Sequence, residues 1–213
     1  MKRLLLVSDE KTAQDQGCIK ESEKYGLARD LYNLPNLREV LSRHGDFEIV
    51  TCHHTELADA PERDYVVLSG RFSPRELSEG DTEYRALLDF IRGNSAPLLG
   101  ICAGFHLTAR AFGSEIVPME DASGEFGYTE LAVQNDHPLL HGLGEHFTCM
   151  ELHSYTISSV PDGFALLASS GKCPIQMIAH AKRPIIGVQF HPELQNAAHQ
   201  DGKIILENFF RLY

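Results

Sequence analysis

The chain has 213 residues, 43% of them hydrophobic, which is enough for one domain with a substantial core over residues 1–213. Its 19 basic and 30 acidic residues give a formal net charge of −11, which argues against nucleic acid or an anionic membrane surface as the main partner. Five scattered cysteines, no apolar run of membrane-spanning length and no charged-then-apolar leader predict a soluble, cytoplasmic protein.

The first half of the chain alternates between strand and helix patterns. Apolar runs predict strands, and apolar residues at helical spacing predict amphipathic helices. Residues 8–33 are polar and weakly patterned, which fits either a long loop or a loop followed by a short helix. The predicted elements are strand Lys2–Val7, helix Leu34–His44, strand Phe47–Cys52, strand Asp64–Gly70 with a tight turn, and helix Asp81–Asn94.

Cys52, His53 and His54 are metal-ligating residue types placed together at the end of the second predicted strand. Adjacent strand residues face opposite sides of a sheet, and no second ligand group follows at a spacing typical of zinc sites. We therefore predict no metal here, and the sequence indicates no cofactor.

Cys102 stands between two glycines, in the segment Gly100–Gly104, after a short apolar strand that follows Pro97. Gly-x-Cys-x-Gly is the thiol version of the nucleophile elbow, a tight strand-to-helix turn that exposes a reactive side chain above the sheet. The helix dipole favours a negative charge at this position. A buried structural cysteine with glycine neighbours is the alternative interpretation of this segment alone.

The second half of the chain predicts a series of short strands. The segment Ser114–Gly124 fits a loop or an edge strand, and three histidines on turns are interpreted as surface or loop residues: His137, His141 and His146. The predicted strands are Tyr128–Val133, Phe147–Leu152, Phe164–Ser169, Ile175–His180 and Ile185–Phe190, and helix Ile204–Leu212 ends the chain.

His191 and Glu193 follow the last predicted strand, with Pro192 between them. A thiol nucleophile needs an imidazole to carry its proton, and the imidazole needs a carboxylate to orient it. Residues two apart on extended backbone point to the same side, and ligands of open α/β sheets bind at the carboxyl ends of the strands. Taken singly, His191 fits a half-buried histidine and Glu193 a solvated charge. Together with Cys102, the two residues predict a catalytic triad.

These two segments resemble the signatures of the class I (triad) glutamine amidotransferases, Gly-x-Cys-x-Gly-x-Gln and Gly-x-x-Phe-His-Pro-Glu. Gly100–His106 matches the first except at its last position, and Gly187–Glu193 matches the second in full. The resemblance covers about Asp64 to Phe210. It implies an α/β fold with an open, mostly parallel, flavodoxin-like sheet flanked by helices, and additional antiparallel strands in the C-terminal half.

The resemblance also implies a reaction. Cys102 would attack the side-chain amide of glutamine, forming a γ-glutamyl thioester and releasing ammonia to an acceptor on a separate synthetase protein. His191, oriented by Glu193, would protonate the ammonia and later activate water. The N–H of Ala103 and one from the Gly70–Arg71 turn would hold the oxyanion.

The substrate contacts implied by the resemblance are less uniform. Arg71 replaces a family glycine, and is either a solvent-exposed loop residue or a group that reaches a substrate carboxylate. Ser154 and Tyr155 are expected near the glutamine backbone atoms, although their residue types equally fit a strand end. His106 replaces the family glutamine, whose amide offers a paired donor and acceptor that imidazole lacks.

Two other functions stay open at this stage. The first is hydrolysis of γ-glutamyl amides or peptides other than free glutamine, which the change at His106 allows. The second is a non-catalytic, ligand-binding regulatory domain, against which the complete set of Cys102, His191 and Glu193 argues.

Overall fold

The structure is a computed structural model that describes residues 1–8, 34–70 and 81–213. The predictions made for most of 8–33 and for Arg71 lie outside the described residues. In chain order the described elements are β1 (Lys2–Ser8), α1 (Leu34–Ser42), β2 (Phe47–His53), β3 (Tyr65–Leu68), α2 (Asp81–Gly93), β4 (Leu98–Ile101), α3 (Ala103–Ala111), β5 (Ile116–Pro118), β6 (Glu125–Val133), β7 (His146–His153), β8 (Tyr155–Ile157), β9 (Phe164–Ser169), β10 (Met177–His180), β11 (Ile185–Val188) and α4 (Asp201–Leu212).

Nine of these strands form one sheet in the order β2-β1-β3-β4-β11-β10-β9-β6-β7. The five strands from β2 to β11 pair in parallel, and the remaining neighbours pair antiparallel. A separate two-stranded antiparallel sheet joins β5 to β8. The predicted fold class, an open, mostly parallel, flavodoxin-like sheet flanked by helices with additional antiparallel strands in the C-terminal half, is confirmed.

The residues of β1 explain why helices cover both faces of the sheet. Leu4 and Leu6 point to one face, where they belong to a core with residues of α1 and α4. Leu5 and Val7 point to the other face and pack with residues of α2 and α3. A strand buried on both faces is apolar at every position, which is the pattern expected of a parallel sheet between helices.

The differences from the predicted elements are local. The last strand ends at Val188 rather than Phe190, and β8 begins at Tyr155, in a segment with no predicted strand. His53 caps the 3-10 helix His54–Asp59, with its Nδ1 accepting from Thr55 N, and His54 is buried against the Tyr84 ring.

Among the described residues, no helix combines the length and apolar character needed to cross a membrane.

Candidate active site

Cys102 occupies the tight turn between β4 and α3 that the motif predicted. Its φ of 50° and ψ of −104° make it the one non-glycine residue with positive φ among those described. Such a conformation costs about 1–3 kcal/mol and persists where the surrounding packing enforces it. Here the packing is close, since a Cβ on Gly104 would lie 2.4 Å from the Leu68 carbonyl oxygen, and one on Gly100 would lie 2.5 Å from the Gly104 oxygen.

Three neighbouring parallel strands bring the predicted site residues together. β4 lies between β3 and β11 in the sheet, and the three strands are parallel. Gly70, Cys102 and His191 come shortly after the carboxyl ends of β3, β4 and β11, so all three lie at the same edge of the sheet. A Cβ added to Gly70 would lie 2.7 Å from His191 Cε1 and 3.5 Å from Cys102 Cβ. A side chain at position 70 would therefore press on the His191 ring, and glycine leaves that space to the imidazole.

Replacement of Gly70 by alanine is expected to lower kcat/KM of the wild-type reaction about 100-fold. The new methyl group would displace the His191 ring, and a misplacement of about 1 Å at a reacting group can cost that much. Gly93→Ala is the matched control, because a Cβ there meets nothing within 4 Å. Steady-state kinetics of the two variants make the comparison, and equal rates would show that the ring has room to move.

His191 and Glu193 meet through a turn, not through the extended backbone expected from their spacing. Leu194 N donates to the His191 carbonyl at 3.2 Å, which closes a four-residue turn with Pro192 in its second position, where proline is favoured. His191 Nδ1 lies 2.7 Å from Glu193 Oε1. The backbone N–H of His191 donates to Met150 O on β7 at 2.8 Å, which fixes the turn against the antiparallel part of the sheet.

The electrostatics of His191 are those of a buried imidazolium. Burial by itself lowers its pKa, but the Glu193 carboxylate and Cys102 outweigh that cost and raise the pKa to about 10. His191 Nδ1 faces the Glu193 carboxylate, and Cys102 lies near the same imidazole, close enough to raise its pKa. The His191 imidazole can therefore carry a proton close to both the Cys102 sulfur and the Glu193 carboxylate, as nucleophilic catalysis by a thiol requires.

Replacement of Glu193 by glutamine is expected to lower kcat/KM at least tenfold at neutral pH and to move the alkaline limb of its pH profile to lower pH. The carboxylate raises the pKa of His191, so its loss lets the imidazolium deprotonate at lower pH. A kcat/KM profile reports the groups of the free enzyme, and a variant that kept the wild-type alkaline limb would contradict this role for Glu193.

The other predicted site residues take different positions. Ala103 is the first residue of α3, and the first-turn N–H groups of a helix have no intrahelical acceptor, so its N–H is suited to an oxyanion. Ser154 is exposed and Tyr155 half-buried. The Ser154 carbonyl accepts from Met119 N at 3.0 Å, and the Tyr155 carbonyl accepts from His153 Nδ1 at 2.9 Å.

His106 lies inside the protein, one turn along α3, and is 3% exposed. Its Nε2 is 2.6 Å from Gln189 Oε1, and Gln189 Nε2 is 3.8 Å from Cys102 Sγ. Sequence reasoning missed Gln189. Its place two residues before His191, inside the matched motif, was the available signal.

A buried ionic cluster, made of Glu125, Glu151 and His153, was also missed. His153 Nε2 lies 3.2 Å from Glu125 Oε2 and 3.1 Å from Glu151 Oε2. Ser170 Oγ and Gln176 Nε2 each donate to Glu125 at 2.6 Å. Burial lowers the pKa of His153, but its bonds to the two carboxylates outweigh this and leave the pKa well above its ordinary value.

Part of this cluster has the residue types of a metal site. One ligand atom each of Glu125, His153 and Cys173 lie within 4.8 Å of one another. These atoms already have protein partners: Cys173 Sγ lies 3.2 Å from Thr156 Oγ1 and 3.4 Å from the Ile175 carbonyl. The geometry is that of a hydrogen-bonded network, and we assign no metal to it.

A mixed α/β sheet that presents a cysteine elbow beside a histidine and a glutamate has the arrangement expected of a protein with a thiol nucleophile. The sequence profile of the class-I glutamine amidotransferases matches residues 27–212. The chain belongs to this family.

Known relatives agree with this membership. The A subunit of the glutamine-hydrolysing GMP synthase of Methanosarcina mazei is 35% identical over 157 residues, which are 72% of this chain and 75% of the relative. The corresponding protein of Methanothermobacter thermautotrophicus is 32% identical over 123 residues, 58% of this chain and 64% of the relative, less than two thirds of its length. The crystal structure of a protein from Thermoplasma acidophilum, described as a proposed GMP synthase subunit, superposes with a TM-score of 0.76 at 26% identity, over 100% of this chain and 94% of that one.

Proposed function

We propose that this protein is a glutamine amidohydrolase that releases ammonia from the side chain of L-glutamine. The observation that carries the proposal is the assembly of Cys102, His191 and Glu193 at one sheet edge, with Gly70 against the first two. Membership of the class-I amidotransferase family supports the choice of a side-chain amide as substrate.

In the first half of the reaction, Cys102 Sγ attacks the side-chain amide carbon. The negative charge that develops on the amide oxygen is held by the N–H of Ala103 and by a second backbone N–H, which the family resemblance assigns to the Gly70–Arg71 segment. The bond to nitrogen then breaks, and the His191 imidazolium gives its proton to the leaving ammonia. The product on the protein is a γ-glutamyl thioester.

In the second half, His191 acts as a base and Glu193 keeps its ring in place. Water loses a proton to the imidazole and attacks the thioester carbon, and the same donors hold the second oxyanion. Glutamate leaves, and the sulfur and the imidazolium return to their starting state. A raised pKa of His191 favours the proton-donating half at neutral pH.

We further propose that the ammonia passes to a separate synthetase protein. The similar relatives are named as one subunit of a glutamine-hydrolysing synthase, and the match to this chain extends over most of the Methanosarcina mazei protein.

Arg71, Ser154 and Tyr155 remain our proposed substrate contacts. Cysteines 52, 102, 149 and 173 are free thiols, which supports the proposed cytoplasmic location.

The test is ammonia release from L-glutamine by the purified chain, measured alone and with a synthetase protein from the same source. Release that depends on L-glutamine supports the proposal. Because His106 stands where the family has glutamine, the second candidate is a hydrolase of other γ-glutamyl compounds, so γ-glutamyl amides and short γ-glutamyl peptides are assayed in parallel. Turnover of those compounds without turnover of glutamine would favour the second candidate, and no turnover of either would favour a regulatory domain.

A further inference from the structure

Two buried side chains outside the triad are connected to the reactive sulfur. Gln189 is fully buried at the carboxyl end of β11, and its backbone N–H donates to Gln176 O at 2.8 Å. Its side-chain amide lies between His106, 2.6 Å away, and Cys102, 3.8 Å away. The second distance is within the range of hydrogen bonds to sulfur, which are longer than those to oxygen.

In the proposed reaction the sulfur attacks as a thiolate, and this role fixes the direction of each hydrogen bond. An ionised Cys102 sulfur can only accept, so the NH₂ end of the Gln189 amide faces it. The carbonyl end then faces His106, which must carry a proton on Nε2 to donate to it. The result is one chain of donors, from His106 Nε2–H to Gln189 Oε1 and from Gln189 Nε2–H to Cys102 Sγ.

We propose that Gln189 is a further catalytic residue, which donates a hydrogen bond to the Cys102 sulfur, and that His106 is the positioning residue that holds its amide in this orientation. The inference rests on Cys102 being the nucleophile of the proposed function. His106, which stands where the family has glutamine, would thus act on the sulfur indirectly, by orienting the Gln189 amide.

Burial strengthens the case for this assignment. A buried amide costs free energy unless its polar atoms have partners, and an apolar residue of similar volume would pack at the end of β11 without that requirement. The amide is placed where its N–H reaches the one reactive atom of the site, and a donor to a charged acceptor is about twice as strong as one between neutral groups. Its removal therefore affects the ionised sulfur more than the fold.

The experiment measures the second-order rate at which iodoacetamide alkylates Cys102 at neutral pH, read by mass spectrometry of the Cys102 peptide. Gln189→Leu removes the donor and is expected to lower this rate about tenfold. His106→Phe leaves the amide unsupported and is expected to lower it as well. His106→Gln restores an N–H of similar reach and is expected to return the rate to that of the wild type.

The controls separate this role from a structural one. Alkylation of the half-buried Cys52 in the same samples gives an internal reference, and thermal melting reports folding. If Gln189→Leu does not fold, Gln189→Glu keeps the shape, and a carboxylate beside the sulfur is expected to slow alkylation further. Wild-type rates in the folded Gln189 variants, or no recovery in His106→Gln, would overturn the proposal.

The same readout is independent of the substrate. A chain that releases no ammonia from glutamine, but whose Cys102 alkylation responds to Gln189 and His106 as expected, would refute glutamine as the substrate and leave standing the hydrogen bond from Gln189 to a reactive Cys102. A chain that releases ammonia, but whose Cys102 alkylation rate is unchanged in the Gln189 and His106 variants, would support the proposed function and refute this inference.

Discussion

Replacement of Cys102 by alanine is expected to reduce ammonia release from glutamine by at least about 1,000-fold, because it removes the atom that we propose forms the thioester. The variant should fold as the wild type does, since alanine keeps the Cβ and the buried environment of the turn. The measurement is a glutaminase assay at saturating glutamine, with far-UV circular dichroism and melting as checks on folding.

Cys52→Ala is the matched control for this variant. Cys52 is half-buried on β2, and its Sγ contacts the His53 carbonyl at 3.3 Å, away from the triad. We expect it to keep wild-type activity. Residual ammonia release in Cys102→Ala that equalled the wild-type rate would show that the activity belongs to a contaminant or to another site.

Replacement of His153 by leucine is expected to lower the free energy of unfolding by about 3–5 kcal/mol. The change leaves Glu125 and Glu151 buried without the imidazolium between them, and removal of one partner of a buried ionic group costs about that much. Urea denaturation at pH 6.5 measures the difference. His146→Leu is the control, since His146 lies on the same strand but is exposed, 3.7 Å from Glu130, and such sites change stability by about 0.5 kcal/mol or less.

The pH dependence of stability gives a second readout of the same cluster. A histidine whose pKa is raised on folding contributes stability that is complete below its unfolded pKa of about 6.5 and is lost as the pH rises through its folded pKa. The wild type is therefore expected to lose stability as the pH rises above about 6.5, through His153 and through His191. Urea denaturation of the wild type between pH 6.5 and pH 8 measures this loss, and a free energy of unfolding that stayed constant or rose over this range would contradict the assignment.

Local patterns predicted the parts of the molecule that depend on neighbouring residues. The elbow at Cys102 and the His191–Glu193 pair each lie within seven consecutive residues, and apolar periodicity located β1, α1, α2 and α4 to within a few residues. Gly70 was expected from the resemblance, and the structure gives its reason in the space taken by His191 Cε1. The short β8 was missed because three residues are too few to establish an alternating pattern.

Long-range side-chain pairs were the parts that the sequence did not predict. His106 and Gln189 are 83 positions apart, and only the placement of β11 next to β4 brings them together. Charged residues such as Glu151 are normally solvated, so their burial beside His153 requires knowledge of which strand face is covered. The turn at Pro192 was missed because residues two apart approach each other both on extended backbone and in a turn.

The position of β11 has a consequence for how the chain reaches its native state. It is the last strand in sequence, yet it lies in the middle of the nine-stranded sheet, between β4 and β10. During synthesis, the edge of β4 that pairs with β11 stays open until the C-terminal strands have left the ribosome. An open strand edge of this kind can pair with other chains. Contacts between distant segments also slow folding, and Cys102 cannot meet His191 until most of the chain has been synthesised. A nascent chain would carry the cysteine without His191, and the proposed activity would begin only once β11 has paired with β4.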